Sequence, residues 1–517
     1  MSRQSQQHRP APRLRALCLA GAAALALAGC GEDTGSGITG PVTGAARGSL
    51  IHDPPLRIAS LDAATFGAEL GASPSGAQLL QVAGAPSCGV DFYYLEYNTV
   101  GGMGEATTAS GALMVPTGTA PQCSGARPIV LYAHGTDTDR ATNIADITNP
   151  SNTEGALIAA MFAAQGYIVV APNYAGYDIS TLPYHPYLNA SQQSKDMIDA
   201  LTAARTALPN TLTSSTTDGG KLFITGYSQG GYVAMATHRA MQAAGMTVTA
   251  SAPMSGPYAL EAFGDAVFYG QVNIGATVFT PLLVTSYQQA YGNIYHALTD
   301  VYEPNYAPNM ADVLPSTTPL ETLFSNGILP ESALFSSTPP VTGTPLDAAL
   351  AVPSNPLFAA GFGPSNLVTN AFRLAYVLDA VASPDGAVPT LTAGVAVAAN
   401  PQNTLRQAFK TNDLRNWIPQ RPVLMCGGDQ DPTVFFSVNT LVMQQYWAAL
   451  PAGAITVVDV NATVTNPNDP FAAAKVGYQQ TIAGIAAAQG QSAAVQAIHT
   501  TEAPFCTAVA RGFFAQF

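Results

Sequence analysis

Five consecutive residues, Gly226-Tyr227-Ser228-Gln229-Gly230, set a serine between two glycines. A serine hydroxyl is a poor nucleophile at neutral pH. To attack a carbonyl it needs a base to take its proton and donors to hold the oxyanion that forms. The glycines of a G-x-S-x-G permit a strained turn that lifts the hydroxyl clear of its surroundings, provided that a strand runs into it and a helix runs out. The pattern meets both conditions: Lys221-Leu222-Phe223-Ile224-Thr225 reads as a strand and 232–243 as a helix. Ser228 is therefore the candidate nucleophile. An acid and a base are expected later in the chain, in that order. The loop at 426–434 offers two acids, Asp429 and Asp431, and His499 is the only histidine beyond it. The backbone N–H groups of Gln229 and, in the loop His134-Gly135-Thr136, of Thr136 are the candidate oxyanion donors. His134 is read as a brace for that loop.

The elements that must position these residues alternate along the chain. Strand-like runs occupy 90–98, 107–115 and 128–133, the last ending at His134, and a helix at 153–165 leads into a buried strand at 167–173. A helix at about 190–207 puts Met197, Ile198, Leu201 and Ala204 on one face. Strands follow at 247–253, 422–426 and 454–460, with a helix at about 433–449 and a last helix beginning after His499. Such alternation implies an α/β architecture, a mostly parallel sheet covered on both faces. The segment 257–419, rich in proline, tyrosine and phenylalanine, reads as a mainly helical cap inserted into that core. It divides the core into 86–256 and 420–517.

Residues 1–29 hold four arginines, no acid and an apolar run ending in Leu27-Ala28-Gly29-Cys30. This is the pattern of a signal peptide. Its end resembles the lipobox of bacterial lipoproteins, which implies cleavage before Cys30, acylation of that cysteine, and an exported, lipid-anchored protein of the bacterial envelope. The small, polar stretch 31–49 suits a tether, within an N-terminal extension that runs to residue 85. Removing the four arginines of the leader leaves 15 basic against 32 acidic side chains, a formal charge of −17. Nucleic acid is an unsuitable partner for such a chain. Four cysteines remain, Cys88, Cys123, Cys426 and Cys506, an even number in an oxidising compartment. Of the three connectivities, Cys88–Cys123 and Cys426–Cys506 are favoured because each brackets a compact segment. Zinc lacks the usual close Cys/His spacing.

Together these motifs resemble the α/β-hydrolases. In 428–434 the family's G-x-x-D-x-x-V pattern aligns Gly428, Asp431 and Val434 and makes Asp431 the acid, leaving Asp429 to brace the turn. The run Gly166-Tyr167-Ile168-Val169-Val170-Ala171-Pro172-Asn173-Tyr174-Ala175-Gly176-Tyr177, followed by Tyr184-His185-Pro186-Tyr187-Leu188, resembles the secretory lipase family and its bacterial esterase relatives. That resemblance covers about 90–256 and 420–517. It implies hydrolysis of carboxylic esters with no metal or organic cofactor. The Tyr184–Tyr187 turn reads more naturally as packing than as catalysis.

The cap bears on the substrate. Between Arg239 and Arg373 there is no lysine or arginine, which disfavours anionic substrates and points to a neutral or apolar ester. Its aromatics, among them Tyr258, Phe263, Phe268, Tyr269, Phe279, Tyr287, Tyr291 and Tyr295, either line an acyl pocket or form the cap's own core. Two other functions fit the same residues. One is a peptidase resembling the prolyl oligopeptidase relatives, although no propeller-type repeat precedes the core. The other is a binding module that kept the fold without turnover.

Overall fold

Apolar residues alternate along the central strands and so divide two cores between the faces of one sheet. In the strand ending at Ala133, Ile129, Leu131 and Ala133 join one buried cluster, while Val130 and Tyr132 join the other. The computed structural model describes residues 45–208, 216–388 and 394–517. In chain order the strands are β1 (Leu56–Leu61), β2 (Gly89–Val100), β3 (Ala106–Thr117), β4 (Gly125–Ala133), β5 (Ile168–Pro172), β6 (Thr216–Tyr227), β7 (Ala250–Met254), β8 (Phe335–Ser336), β9 (Phe362–Gly363), β10 (Val423–Gly427) and β11 (Ile455–Asp459). Nine of them form one sheet in the order β1-β2-β3-β5-β4-β6-β7-β10-β11. The first three join antiparallel, and β3 meets β5 antiparallel. From β5 through β11 every pairing is parallel. The short β8 and β9 pair with each other.

This is the mostly parallel α/β sheet that the sequence implies. The helices Ala190–Ala207 and Gln229–Ala243 contribute to one core, and the helices Thr153–Met161 and Gln491–Phe514 to the other. Because β4, β6, β7 and β10 run the same way, the loops after their carboxyl ends open on one edge. Those loops carry Thr136, Ser228, Ser255 and Asp431. Between β7 and β10 lie the helices of the insertion, among them Leu260–Phe268, Ala276–Tyr291, Asn370–Ala382 and Thr404–Asn412.

Three expectations are corrected. His499 lies inside the last helix, Gln491–Phe514, not before it; Ala494, Ile498 and Glu502 repeat every fourth residue along its buried face, so the helix starts about two turns earlier. The helix expected at 433–449 is only Thr440–Tyr446. Asp431 Oδ1 accepts from the N–H groups of Thr433 and Val434, and this local turn competes with helix. The polar tether does not reach residue 49: Gly48 and Ile51 donate backbone bonds to Asn98 and Glu96, and Arg47 grips Asp199. The expected disulfide partners are joined, Cys88 to Cys123 and Cys426 to Cys506. Cys30 lies outside the described residues. Among those described, no helix is long and apolar enough to cross a membrane.

Candidate active site

The turn after β6 is built by contact distances as much as by flexibility. A Cβ on Gly230 would stand 1.9 Å from the Ala133 carbonyl oxygen, and one on Gly226 would stand 2.4 Å from the same atom. With no side chain at either position, β6 passes directly into the helix Gln229–Ala243, and Ser228 takes φ 58° and ψ −122°. A serine in that region is strained, a cost that persists only where the surroundings enforce it. Here Ser228 N–H donates to the Met254 carbonyl, and the Ser228 carbonyl accepts from Gly231 and Tyr232.

Three side chains from distant segments meet at this turn. Ser228 Oγ lies 2.9 Å from His499 Nε2, and His499 Nδ1 lies 2.6 Å from Asp431 Oδ2. Asp431 is buried, with its second oxygen held by the two backbone donors described above. Its hydrogen bond to Nδ1 leaves Nε2 free to accept the Ser228 proton. Asp429 is exposed, and its backbone N–H donates to Asp459. The disulfide Cys426–Cys506 ties the strand before Asp431 to the helix that carries His499.

The donors on the other side of Ser228 are also braced. Gln229 begins its helix, so its N–H has no partner within the helix. The Gln229 side chain is buried, and its Nε2 lies 2.7 Å from His185 Nε2. His185 Nδ1 faces the Ala175 carbonyl at 2.9 Å, so Nδ1 donates and Nε2 accepts from Gln229. Burial pushes the His185 imidazole down to about 3, which keeps it neutral in that role. The Tyr184–Tyr187 turn is packed, and through His185 it orients Gln229, the residue beside Ser228. In the β4 loop, Glu154 accepts from Gly135 N–H and Tyr132, while Thr136 Oγ1 meets the Tyr187 hydroxyl at 2.8 Å. His134 bonds the Gly135 and Asn173 carbonyls and stacks on Tyr174.

A cleft of about 850 Å³ opens on Ser228 and Gln229. The insertion supplies most of its wall, including Phe263, Phe268, Phe279, Leu283, Phe372 and Phe409. The cap aromatics thus divide: these phenylalanines line the cleft, while Tyr258 and Tyr287 are buried in the core. Among the described residues, no lysine, arginine or acid lines it. The cap arginines are used elsewhere. Arg406 bonds Asp265 and Asp379, Arg415 bonds Asp385 and Asp413, and Arg373 donates to the Phe268 and Leu350 carbonyls.

Asp431, His499 and Glu502 could each turn one ligand atom toward a common point, all within 4.8 Å of one another. The 2.6 Å contact between His499 and Asp431 is a direct hydrogen bond, so an ion at ordinary zinc distances of about 2.0–2.2 Å would have to break it.

The family model of the prolyl oligopeptidase family matches residues 155–266, which hold Ser228 and its flanking strand and helix. No curated protein matches the chain. The rice cell wall degrading esterase LipA from Xanthomonas oryzae is 26% identical, with a TM-score of 0.62 over 87% of this chain and 100% of its own. A protein of Legionella pneumophila named a hydrolase is 18% identical, with a TM-score of 0.61 over 90% of this chain and 97% of its own, and has the same fold. The chain has the α/β-hydrolase fold. Within this hydrolase, Tyr227, Ser255 and Glu502 support the three side chains from behind and Glu154 braces the loop of Thr136, roles that motif reading passed over. Only Glu502 left a trace in the sequence. It stands three residues after His499, on the same face once 491–514 is read as one helix.

Proposed function

We propose that this hydrolase is a serine esterase acting on neutral carboxylic esters with an apolar acyl chain. The observation that carries the reading is the unbroken run of hydrogen bonds from Asp431 through His499 to Ser228, at the mouth of an apolar cleft. In the reaction Ser228 Oγ bonds to the ester carbonyl carbon as its proton passes to His499 Nε2, with Asp431 remaining ionised and orienting the ring. The N–H groups of Gln229 and Thr136 receive the oxyanion. Collapse breaks the bond to the alcohol, which leaves with the proton from His499. Water, deprotonated by the same nitrogen, then releases the acid from Ser228. No cofactor enters these steps. The apolar wall, and cap arginines engaged with protein groups, support a neutral acyl chain over a charged one.

Hydrolysis of p-nitrophenyl esters with acyl chains of about two to sixteen carbons tests this, a range set by clefts of this size. The expected result is turnover that Ser228→Ala abolishes, with a preferred length that reports the depth of the cleft. The match to the prolyl oligopeptidase family favours a second reading, cleavage of amides by the same side chains. Hydrolysis of aminoacyl p-nitroanilides in the absence of ester turnover would select it.

The leader pattern supports export to the bacterial envelope with an acyl anchor on Cys30, so that the enzyme works at a membrane surface. Radiolabelled palmitate should enter the wild-type chain and not Cys30→Ala.

A further inference from the structure

One fully buried carboxyl touches every segment that carries the triad. Glu502 Oε2 lies 2.9 Å from Ser255 Oγ and 3.3 Å from the Tyr227 hydroxyl. Tyr227 immediately precedes the nucleophile, and its hydroxyl makes a short hydrogen bond to the His499 carbonyl. Ser255 follows β7 in a left-handed conformation, with its N–H on the Cys426 carbonyl at the base of the acid loop. In that loop a Cβ on Gly428 would fall 2.2 Å from Glu502 Oε1, so the family's glycine is also the space this side chain needs.

The two neighbouring carboxyls differ in their partners. Asp431 has the imidazole Nδ1 and two backbone N–H groups, whereas Glu502 Oε2 has only hydroxyls and Oε1 has no partner in the structure. Two buried carboxylates this close cannot both ionise cheaply, and the charge settles where the stronger donors are. The other titratable groups facing Glu502 are Asp459 at the end of β11, Tyr478 on the helix Ala472–Gln489, Tyr227, and His499 on its own helix.

We propose that Glu502 is a positioning residue of the triad that works as a neutral carboxylic acid. It donates its proton to the Tyr227 hydroxyl, which donates its own to the His499 carbonyl, while Ser255 donates to Glu502. The nucleophile strand, the base helix and the end of β7 are thereby locked without adding a second charge beside His499. Burial, and then the Asp431 carboxylate, push Glu502 well above the usual carboxyl range, which agrees with this arrangement. Ionisation of Glu502 at alkaline pH would remove its donor to Tyr227 and put a second negative charge behind the triad, so that the Tyr227 hydroxyl no longer holds the His499 carbonyl and the ring loses its alignment on Ser228. The inference rests on the reading of Ser228, Asp431 and His499 as a hydrolytic triad.

The test uses the full mature chain and its variants E502Q and E502A, with p-nitrophenyl butyrate as substrate from about pH 5 to pH 9.5, where the limbs of kcat/KM report free-enzyme groups. E502A should lose at least about tenfold in kcat with KM little changed, the signature of a lost transition-state arrangement. E502Q, which keeps a donor and an acceptor, should restore most of that loss, leave the acid limb in place and extend the alkaline limb. A wild-type kcat in E502A would overturn the proposal. So would an E502Q acid limb lowered by about one pH unit together with a tenfold loss of kcat, because Glu502 would then be acting as a charge. If E502A does not fold, the two limbs of E502Q decide. Hydrolysis surviving Ser228→Ala, or failure of Ser228 to label with a fluorophosphonate, would instead remove the triad reading beneath it.

Discussion

Two walls meet at Ser228, and they are held in opposite ways. The sheet side is polar to its depths: Asp431, Glu502, Tyr227, Ser255 and His185 are all buried and joined by hydrogen bonds. The cap side presents phenylalanine and leucine to the cleft and keeps its charges behind. The helix Leu260–Phe268 shows the division in one element. Leu260, Phe263, Gly264, Val267 and Phe268 face the cleft, while Asp265, on the opposite face, is clasped by Arg406. Arg406 itself sits between Leu405 and its i+4 neighbour Phe409, both of which line the cleft. The polar side chains are thus fixed by directed bonds, and the cleft is walled by an apolar surface with buried ion pairs behind it.

The sharpest way to break the comparison is to act on each wall alone. On the sheet side, Asp431→Asn should lower kcat by about 10⁴-fold while leaving the fold intact. Asp429→Asn should change kcat less than twofold in the same steady-state assay, since Asp429 is exposed and His499 bonds Asp431 instead. On the cap side, Arg406→Met should destabilise the chain by about 3–5 kcal/mol in denaturant unfolding, by stranding Asp265 and Asp379, both of which Arg406 holds. Its residual activity should show a raised KM more than a lowered kcat.

A smaller effect follows from Glu261, whose carboxyl burial pushes up to about 8. Arg406 stands 3.6 Å from it but makes its closer bonds to Asp265 and Asp379, so burial prevails. The folded chain then holds a proton that an unfolded glutamate releases at about 4.5. Stability from this group is full below that value, falls as the pH rises, and is gone above about pH 8. Melting temperatures across this range should decline in the wild type, and more shallowly in Glu261→Gln. The mildest change is Gly264→Ala, whose Cβ would meet the Phe409 ring at 2.5 Å. A preference moved toward shorter acyl chains, with kcat on acetyl esters held, is the outcome to seek in the chain-length series.

The same division explains what the sequence made legible. The order Ser228, Asp431, His499 and the strand–turn–helix around the serine are local patterns, and the structure brings those three side chains together. The helix Ala190–Ala207 and most sheet strands fall where periodicity puts them, because their apolar faces repeat at the spacing of their own geometry. The last helix begins earlier than expected because Ala494 and Ile498 already belong to the buried face that continues through Glu502 and Phe505. Glu154 gave no motif and Glu502 only its spacing from His499, since their partners come from other elements: β4 and its loop, β6 and the end of β7. The cap was legible only as composition. Which aromatics face the cleft depends on ion pairs between Asp265, Asp379 and Arg406 that no short window contains.

The left-handed backbone at Ser228 has a consequence for how this protein can change. Of the twenty residue types, glycine alone occupies that conformation without penalty. Replacing the nucleophile by glycine should therefore leave a chain that folds more firmly than the active one. Stability alone therefore argues against a serine at position 228, and its hydroxyl is placed there against that cost.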